Sequence, residues 1–338
     1  MTLNKQILLD NRPQGEASAG NFKLVSSELA PLRPGQVLVR HRYLSLDPYM
    51  RGRMNDGKSY AQPQPLGQVM QGGTVGEVVE SLHDRYAAGD KVLGFGGWQE
   101  YSVVDADQPG ALRKVDASKV PLSAYLGAVG MPGITAWHGL VKICQPKAGQ
   151  TIAVSAASGA VGGVVGQLAK RRGCRVVGIA GGVEKCAYVV NDLGFDACID
   201  YKAHPDSAGL HRALKEATPR GIDGYFENVG GAVMNAVLPR MNDFGRIAVC
   251  GMIAGYDGAP VPMQDPSIIL RSRLLVQGFI VSEQPDSRQP ALAELSELVA
   301  NGQLKYRESI ALGLESAPEA FLGLLKGKNF GKQLVQLI

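Results

Sequence analysis

The arrangement of apolar and polar positions changes character near residue 125. Before it, apolar residues come in short, partly alternating runs separated by Gly and Pro: NFKLVSSELA, QVLVRHRYLSLD, TVGEVVES, AAGDKVLGF and WQEYSVV. A period of two marks half-buried strands, so this part predicts a compact β-rich domain. Pro31, Pro34 and Gly35 place a turn between the first two runs. The stretch YLSLDPYMRGRMNDGKSYAQPQPLGQVMQGG breaks the series and has no period. Its length and its Tyr, Met, Arg and Pro content predict an ordered loop that walls a pocket.

Beyond residue 121 the apolar runs lengthen and alternate in kind. LSAYLGAVGMPGITAWHGL predicts two helical pieces around Met131-Pro132-Gly133. TIAVSAA predicts a buried strand, VGGVVGQLAKRRG a helix closed by Gly173, and CRVVGIA a second strand. HRALKEATP, AVMNAVLPRM and QPALAELSELVANGQ predict helices, the last stopped by Gly302. GIDGYFENVG, FGRIAVCGMI and RLLVQGFIV predict the strands between them. Strand and helix in repeated alternation imply an α/β fold, a doubly wound parallel sheet. RLLVQGFIV is expected at its edge. A bare edge invites pairing with a second copy, so a homodimer is expected. The strand-like end of the tail is expected to return to the first domain. The resulting domains are 1–125 completed by 304–338, and 126–303.

Composition narrows the function classes. At 338 residues the chain is long for one core. Its net charge of +4 is scattered, which argues against a nucleic-acid partner. No apolar run approaches the roughly 20 residues that cross a bilayer. MTLNKQILLDNRPQGEAS lacks the apolar core and cleavage pattern of a secretion signal, so the expectation is a cytoplasmic protein with no membrane partner. Cys144, Cys174, Cys186, Cys198 and Cys250 form no C-x-x-C pair and are expected to be buried free thiols.

Candidate chemistry centres on Ala156-x-x-Gly159-x-x-Gly162, a tight turn between the TIAVSAA strand and the helix after it. With 43 glycines in the chain the pattern alone is weak, and its setting carries the inference. Strand, glycine turn, helix, strand is the unit that binds a dinucleotide. Ser158, Gly159, Ala160, Val161 and Gly162 would surround the pyrophosphate at the helix N-terminus. Ser155 and Ser158 read as lining that group rather than as nucleophiles, because G-x-S-x-G is missing. An NAD site places an acid after the second strand for the ribose 2′-hydroxyl. Here the strand ends Ile179, Ala180, Gly181, Gly182, and Lys185 follows. A missing carboxylate and a nearby cation select NADP, provided that Glu184 points away.

Several segments together resemble the medium-chain dehydrogenase/reductase superfamily over nearly the whole chain: GDKVLGF, MPGITAWHGL, AASGAVGGVVGQLAK, and FENVGG followed by FGRIAVCGM. YLSLDPYMRGRM, AGGVEKCAYVVNDLGFDACIDY and LLKGKNFGK are similar to its zinc-independent branch of prostaglandin and leukotriene reductases, plant alkenal double-bond reductases and bacterial curcumin reductases. The resemblance implies a GroES-like β-rich substrate domain, a Rossmann domain, and NADPH-dependent reduction of a double bond conjugated to a carbonyl. It implies that Lys185 and Tyr201 meet the 2′-phosphate and that Asn329 and Asn228 hold the cofactor. Thr135, Phe279 and Ile280 would lie near the nicotinamide. Tyr256 would be the active-site hydroxyl and Tyr49 would line the substrate pocket. Asp257 stands where relatives often carry Asn, which leaves substrate preference open. YLSLDPYM and LGQVMQGG offer neither thiolate nor imidazole where zinc enzymes of the superfamily have ligands, so no metal is expected. Hydride added to the β-carbon leaves negative charge on the carbonyl oxygen, which the Tyr256 hydroxyl would stabilise. A quinone reductase of the same superfamily and a non-catalytic NADPH-binding sensor remain as alternatives.

Overall fold

The computed structural model describes residues 3–204 and 206–337. The chain forms two compact units. One holds residues 1–126, 308–329 and 333–338, and the other residues 127–307 and 330–332.

In the first unit β1 (Leu3–Leu9) pairs antiparallel with β2 (Phe22–Glu28). The central strand is β3 (Gln36–Ser45), which pairs with β4 (Thr74–Ser81) on one side. Next come β5 (Lys91–Gly94), β6 (Tyr101–Asp105) and β7 (Leu112–Lys114), all antiparallel to their neighbours. Val37 and Val39 of β3 are buried while Gln36, Leu38 and Arg40 between them are partly exposed, as a half-buried strand requires. The stretch expected to be loop contains a short helix, α1 (Tyr49–Arg53). Its missing period has a simple cause, since five residues make little more than one turn. Met50 seats this helix in a core with Trp98, which stacks on Phe22 at 5.4 Å between ring centres.

The second unit opens with α2 (Met131–His138). The two expected helical pieces are present, the short helical turn Leu122–Leu126 and α2, and Met131-Pro132-Gly133 belongs to the second. It begins α2, with Pro132 in the first turn where its absent N–H is not needed, after an extended Gly130. A parallel sheet follows: β8 (Thr151–Ser155), β9 (Arg175–Ala180), β10 (Ala197–Asp200), β11 (Ile222–Glu227), β12 (Met241–Val249) and β13 (Leu275–Gly278). The helices between them are α3 (Gly162–Arg171), α4 (Val183–Asn191), α5 (Ser207–Ala217), α6 (Gly231–Val237) and α7 (Ser267–Arg271), and α8 (Pro285–Ala300) comes after β13. The spatial order is β10-β9-β8-β11-β12-β13, so the predicted doubly wound sheet is present and β13 is its outer strand. Every residue of β8 is buried, because helices cover both faces of a parallel sheet. Val164, Leu168 and Leu295 pack one face, and Leu210, Leu214, Val233 and Val237 the other.

The tail adds β14 (Glu308–Leu312), α9 (Ala317–Leu325) and β15 (Lys332–Gln336). Leu334 of β15 pairs antiparallel with Ser45 of β3, so the tail closes the first unit's seven-stranded sheet.

Candidate cofactor and active site

The sheet of the second unit reverses its order between β8 and β11, and side chains collect at the carboxyl ends of those strands. Open α/β sheets bind ligands at such a reversal. The chain leaves β8 through Ala156, which has φ +48°, a left-handed value unusual for a residue with a Cβ. Gly159 N–H donates to Ala156 O at 2.9 Å, which closes the turn. A Cβ on Gly162 would stand 2.4 Å from Ala156 O, so only glycine lets the helix start this close. The amides of Ala160, Val161 and Gly162 have no protein acceptor among the described residues. Three free donors at the start of a ten-residue helix form an anion site. Ser158 is buried, and its carbonyl accepts from Gly331 N–H at 3.2 Å.

A buried polar network fixes the β11 side. Glu227 is fully buried. One carboxylate oxygen accepts from Ser155 Oγ at 2.8 Å and from the N–H groups of Val229 and Gly230, and the other from Tyr225 Oη at 2.6 Å. Burial and then Glu227 raise the Tyr225 phenol well above its ordinary pKa, so it stays a donor. Ser155 Oγ in turn accepts from Asn228 N–H at 2.8 Å, and Asn228 Nδ2 donates to Ser155 O at 2.8 Å. Cys250 Sγ–H donates to Asn228 Oδ1 at 3.3 Å. Burial, then Glu227, push the Cys250 thiol up to about 12. Asn228 is therefore held on both its side chain and its backbone. Ser155 belongs to this network, bonded inward, and does not point at the glycine turn as its sequence position suggested. The carboxylate itself had a faint signal, an acid ending the apolar run YF.

At the end of β9, Gly181 lies beneath Tyr201, whose Oη would be 3.0 Å from a Cβ placed there. Lys185 sits in the first turn of α4, half-buried, with its ammonium 6.0 Å from the centre of the Phe330 ring. Burial, and after it the charge of Lys202, lower its pKa. Glu184, next to it, is exposed. Arg307 lies over the same Phe330 ring at 4.1 Å and Tyr188 meets its edge. Sequence reasoning passed over Lys202, Arg307 and Phe330, whose partners lie far from them in the chain.

Tyr256 follows the short helical turn Ile253–Gly255 after β12. It is half-buried, and its hydroxyl would be 3.4 Å from a Cβ on Gly251, beside the backbone of Asn228. Asp257 is next to it, half-buried. Thr135 is buried on α2, and its hydroxyl donates to Met131 O at 2.8 Å. The Phe279 side chain packs in the core against Phe226 and His138, while Ile280 is half-buried. Tyr49 and Asn329 belong to the first unit. Tyr49 is half-buried under the Arg53 guanidinium at 4.9 Å, and burial above all raises its phenol pKa. Asn329 is half-buried and directly precedes Phe330.

Family models described as "N-terminal domain of oxidoreductase" and "Zinc-binding dehydrogenase" match residues 5–112 and 160–297. The NADPH-dependent curcumin reductase of Escherichia coli K12 is 46% identical, over 99% of this chain and 97% of its own. The chain belongs to the medium-chain dehydrogenase/reductase superfamily. Within it, the NADP(+)-dependent 2-alkenal reductase of Nicotiana tabacum is 42% identical over 99% of this chain and 97% of its own. The structure of CurA from Vibrio vulnificus in complex with NADPH superposes with a TM-score of 0.92, at 44% identity and 99% coverage of both chains. Although one family model is named for zinc, no three His, Cys, Asp or Glu side chains among the described residues stand together to hold a metal. His41, the most buried histidine, bonds Ser102 Oγ at 2.9 Å, and burial lowers its pKa to about 3.

Proposed function

We propose that this member of the superfamily reduces the carbon–carbon double bond of α,β-unsaturated ketones and aldehydes with NADPH. Relatives named for that chemistry align over nearly their whole length. The observation that carries the reading is one edge of one sheet. It holds three free amides for a pyrophosphate, Tyr201 over Gly181 with Lys185 in the helix that follows, and the hydroxyl of Tyr256 beside Asn228.

The residues present fit a bound NADPH. When bound, it supplies the hydride that adds to the β-carbon. The amides of Ala160, Val161 and Gly162 hold the pyrophosphate, with Ser158 and Gly159 shaping the turn. Lys185 and Tyr201 hold the 2′-phosphate over Gly181. Asn228, Thr135, Phe279 and Ile280 shape the nicotinamide end, Phe279 as packing behind it. Asn329 binds from the returning tail. Tyr256 donates its proton-bearing hydroxyl toward the carbonyl oxygen as charge grows there, and Tyr49 lines the substrate pocket. A hydroxyl donor does the work a zinc ion does in other branches, so we place this chain in the zinc-independent one.

The deciding assay follows consumption of NADPH, with NADH in parallel, against a short alkenal, a long-chain enone, curcumin and a simple quinone. Turnover of the enal and enones with NADPH alone is expected. Turnover of the quinone alone would assign the protein to the quinone reductases, and tight NADPH binding with no turnover would make it a sensor.

The outer strand β13 exposes Leu275, and we propose that two copies pair there as a homodimer. A monomer mass by light scattering would exclude this. No helix among the described residues is long and apolar enough to cross a membrane, and we place the enzyme in the cytoplasm.

A further inference from the structure

The segment that carries Tyr256 runs from the end of β12 to the start of α7, and it is tied down at two places. On its way out, Ile253 N–H donates to Asn228 O at 3.3 Å and Ala254 N–H to Val229 O at 3.0 Å. On its way back, the side chain of Asn235 on α6 holds the backbone on both sides of Met263. Its Nδ2 donates to Pro262 O at 3.1 Å, and its Oδ1 accepts from Gln264 N–H at 3.0 Å. A side-chain amide that donates and accepts in this way stands in for a neighbouring strand.

Between these anchors Val261 lies against glycine. A Cβ on Gly255 would stand 2.3 Å from Val261 Cγ2, and one on Gly230 would stand 3.1 Å from Val261 Cγ1. Val261 therefore bridges the start of α6 and the residue directly before Tyr256. Its branched side chain is stiff at χ1, so the bridge has little play. The contacts form a chain: Asn235 holds Pro262, Pro262 carries Val261, and Val261 presses on Gly255.

We infer that Asn235 and Val261 are positioning residues that set the Tyr256 hydroxyl in place for the reaction. The inference rests on the proposed role of Tyr256 and deepens it. A hydroxyl that stabilises charge on a carbonyl oxygen acts over one hydrogen-bond length, so a displacement of about 1 Å forfeits much of its effect. Asn235 and Val261 are both half-buried, and the bonds of Ile253 and Ala254 do not depend on them. Cutting the latch therefore costs the placement of Tyr256 and spares the fold.

The test is a double-mutant cycle on the full chain, with an enone and saturating NADPH. The kcat is measured for Asn235→Ala, Val261→Ala and Tyr256→Phe, and for each of the first two combined with Tyr256→Phe. The Kd for NADPH and the thermal midpoint are followed in every variant. Asn235→Ala and Val261→Ala should each lower kcat about tenfold and leave the NADPH Kd unchanged. In the Tyr256→Phe background neither should lower kcat further, since no hydroxyl remains to be misplaced. An equal fall in both backgrounds would make the two residues merely structural, and an unchanged kcat in both single variants would remove the latch. Either result overturns the inference. A wild-type rate in Tyr256→Phe would instead refute the role of Tyr256 on which the inference rests.

Discussion

The glycine turn after β8 and the segment Gly251–Pro266 after β12 leave the same edge of the same sheet, yet they are held in opposite ways. The turn starts from a wholly buried strand. Ser155 is tied to Glu227, and the following helix is pressed so close that a Cβ on Gly166 would stand 1.8 Å from the Phe195 ring. No residue of Gly251–Pro266 is fully buried. A few bonds anchor it, such as Ala254 N–H to Val229 O at 3.0 Å and Asn235 Nδ2 to Pro262 O at 3.1 Å, and local turns hold the stretch around Tyr256, such as Tyr256 N–H to Ile253 O at 3.2 Å and Gly258 N–H to Gly255 O at 3.0 Å. The difference separates two tasks. On the proposed reading the turn presents backbone donors at one fixed spacing to an invariant pyrophosphate. On the same reading the Tyr256 segment meets the substrate, and a weakly buried segment adjusts to different shapes at low cost.

The contrast breaks most visibly at Glu227. Replacing it by Ala removes four accepted hydrogen bonds inside the core and leaves a cavity. We expect a loss of about 4 kcal/mol of stability, with NADPH affinity falling alongside, read by urea denaturation with and without the cofactor. A loss under 1 kcal/mol would mean that the turn does not depend on this network. Tyr256→Phe should do the reverse. Its kcat for an enone should drop by roughly 10²–10³-fold while the thermal midpoint stays put, because the segment contributes little to the core. A wild-type rate in this variant would remove Tyr256 from the chemistry.

The same contrast decides what could be read in the chain. The β8–α3–β9 unit was legible because its function is written in backbone geometry, and glycines at fixed offsets record backbone geometry directly. The missing acid after Ala180 and the arrival of Lys185 were legible for the same reason of spacing. Lys202, Arg307 and Phe330 were not, since their meeting depends on how α4, β10 and the tail pack. Tyr256 was identified by resemblance alone, because a Tyr in a turn-rich segment has no period or offset to mark it. The two helical pieces on either side of Gly130 were legible, and Pro132 and Gly133 fall in the first turn of the second, where both are compatible with a helix.

The smallest expected effect tests the turn itself. Ala156 takes the place of the first glycine of the pattern and adopts φ +48°. A Cβ in that region costs about 1–2 kcal/mol. Glycine there relieves the strain, but it also frees the unfolded chain, which takes back part of the gain. The balance for Ala156→Gly is a stabilisation of about 0.5 kcal/mol, a rise of roughly 1–2 °C in Tm. NADPH affinity should not change, since the carbonyl of Ala156 already accepts from Gly159 and the free amides lie beyond it. A fall in Tm would show that the Ala156 methyl packs usefully and that its backbone is not strained. A rise in Tm with weaker NADPH binding would show that the alanine holds the turn in its binding shape, which would make the rigidity of this edge a requirement of the cofactor and not only of the core.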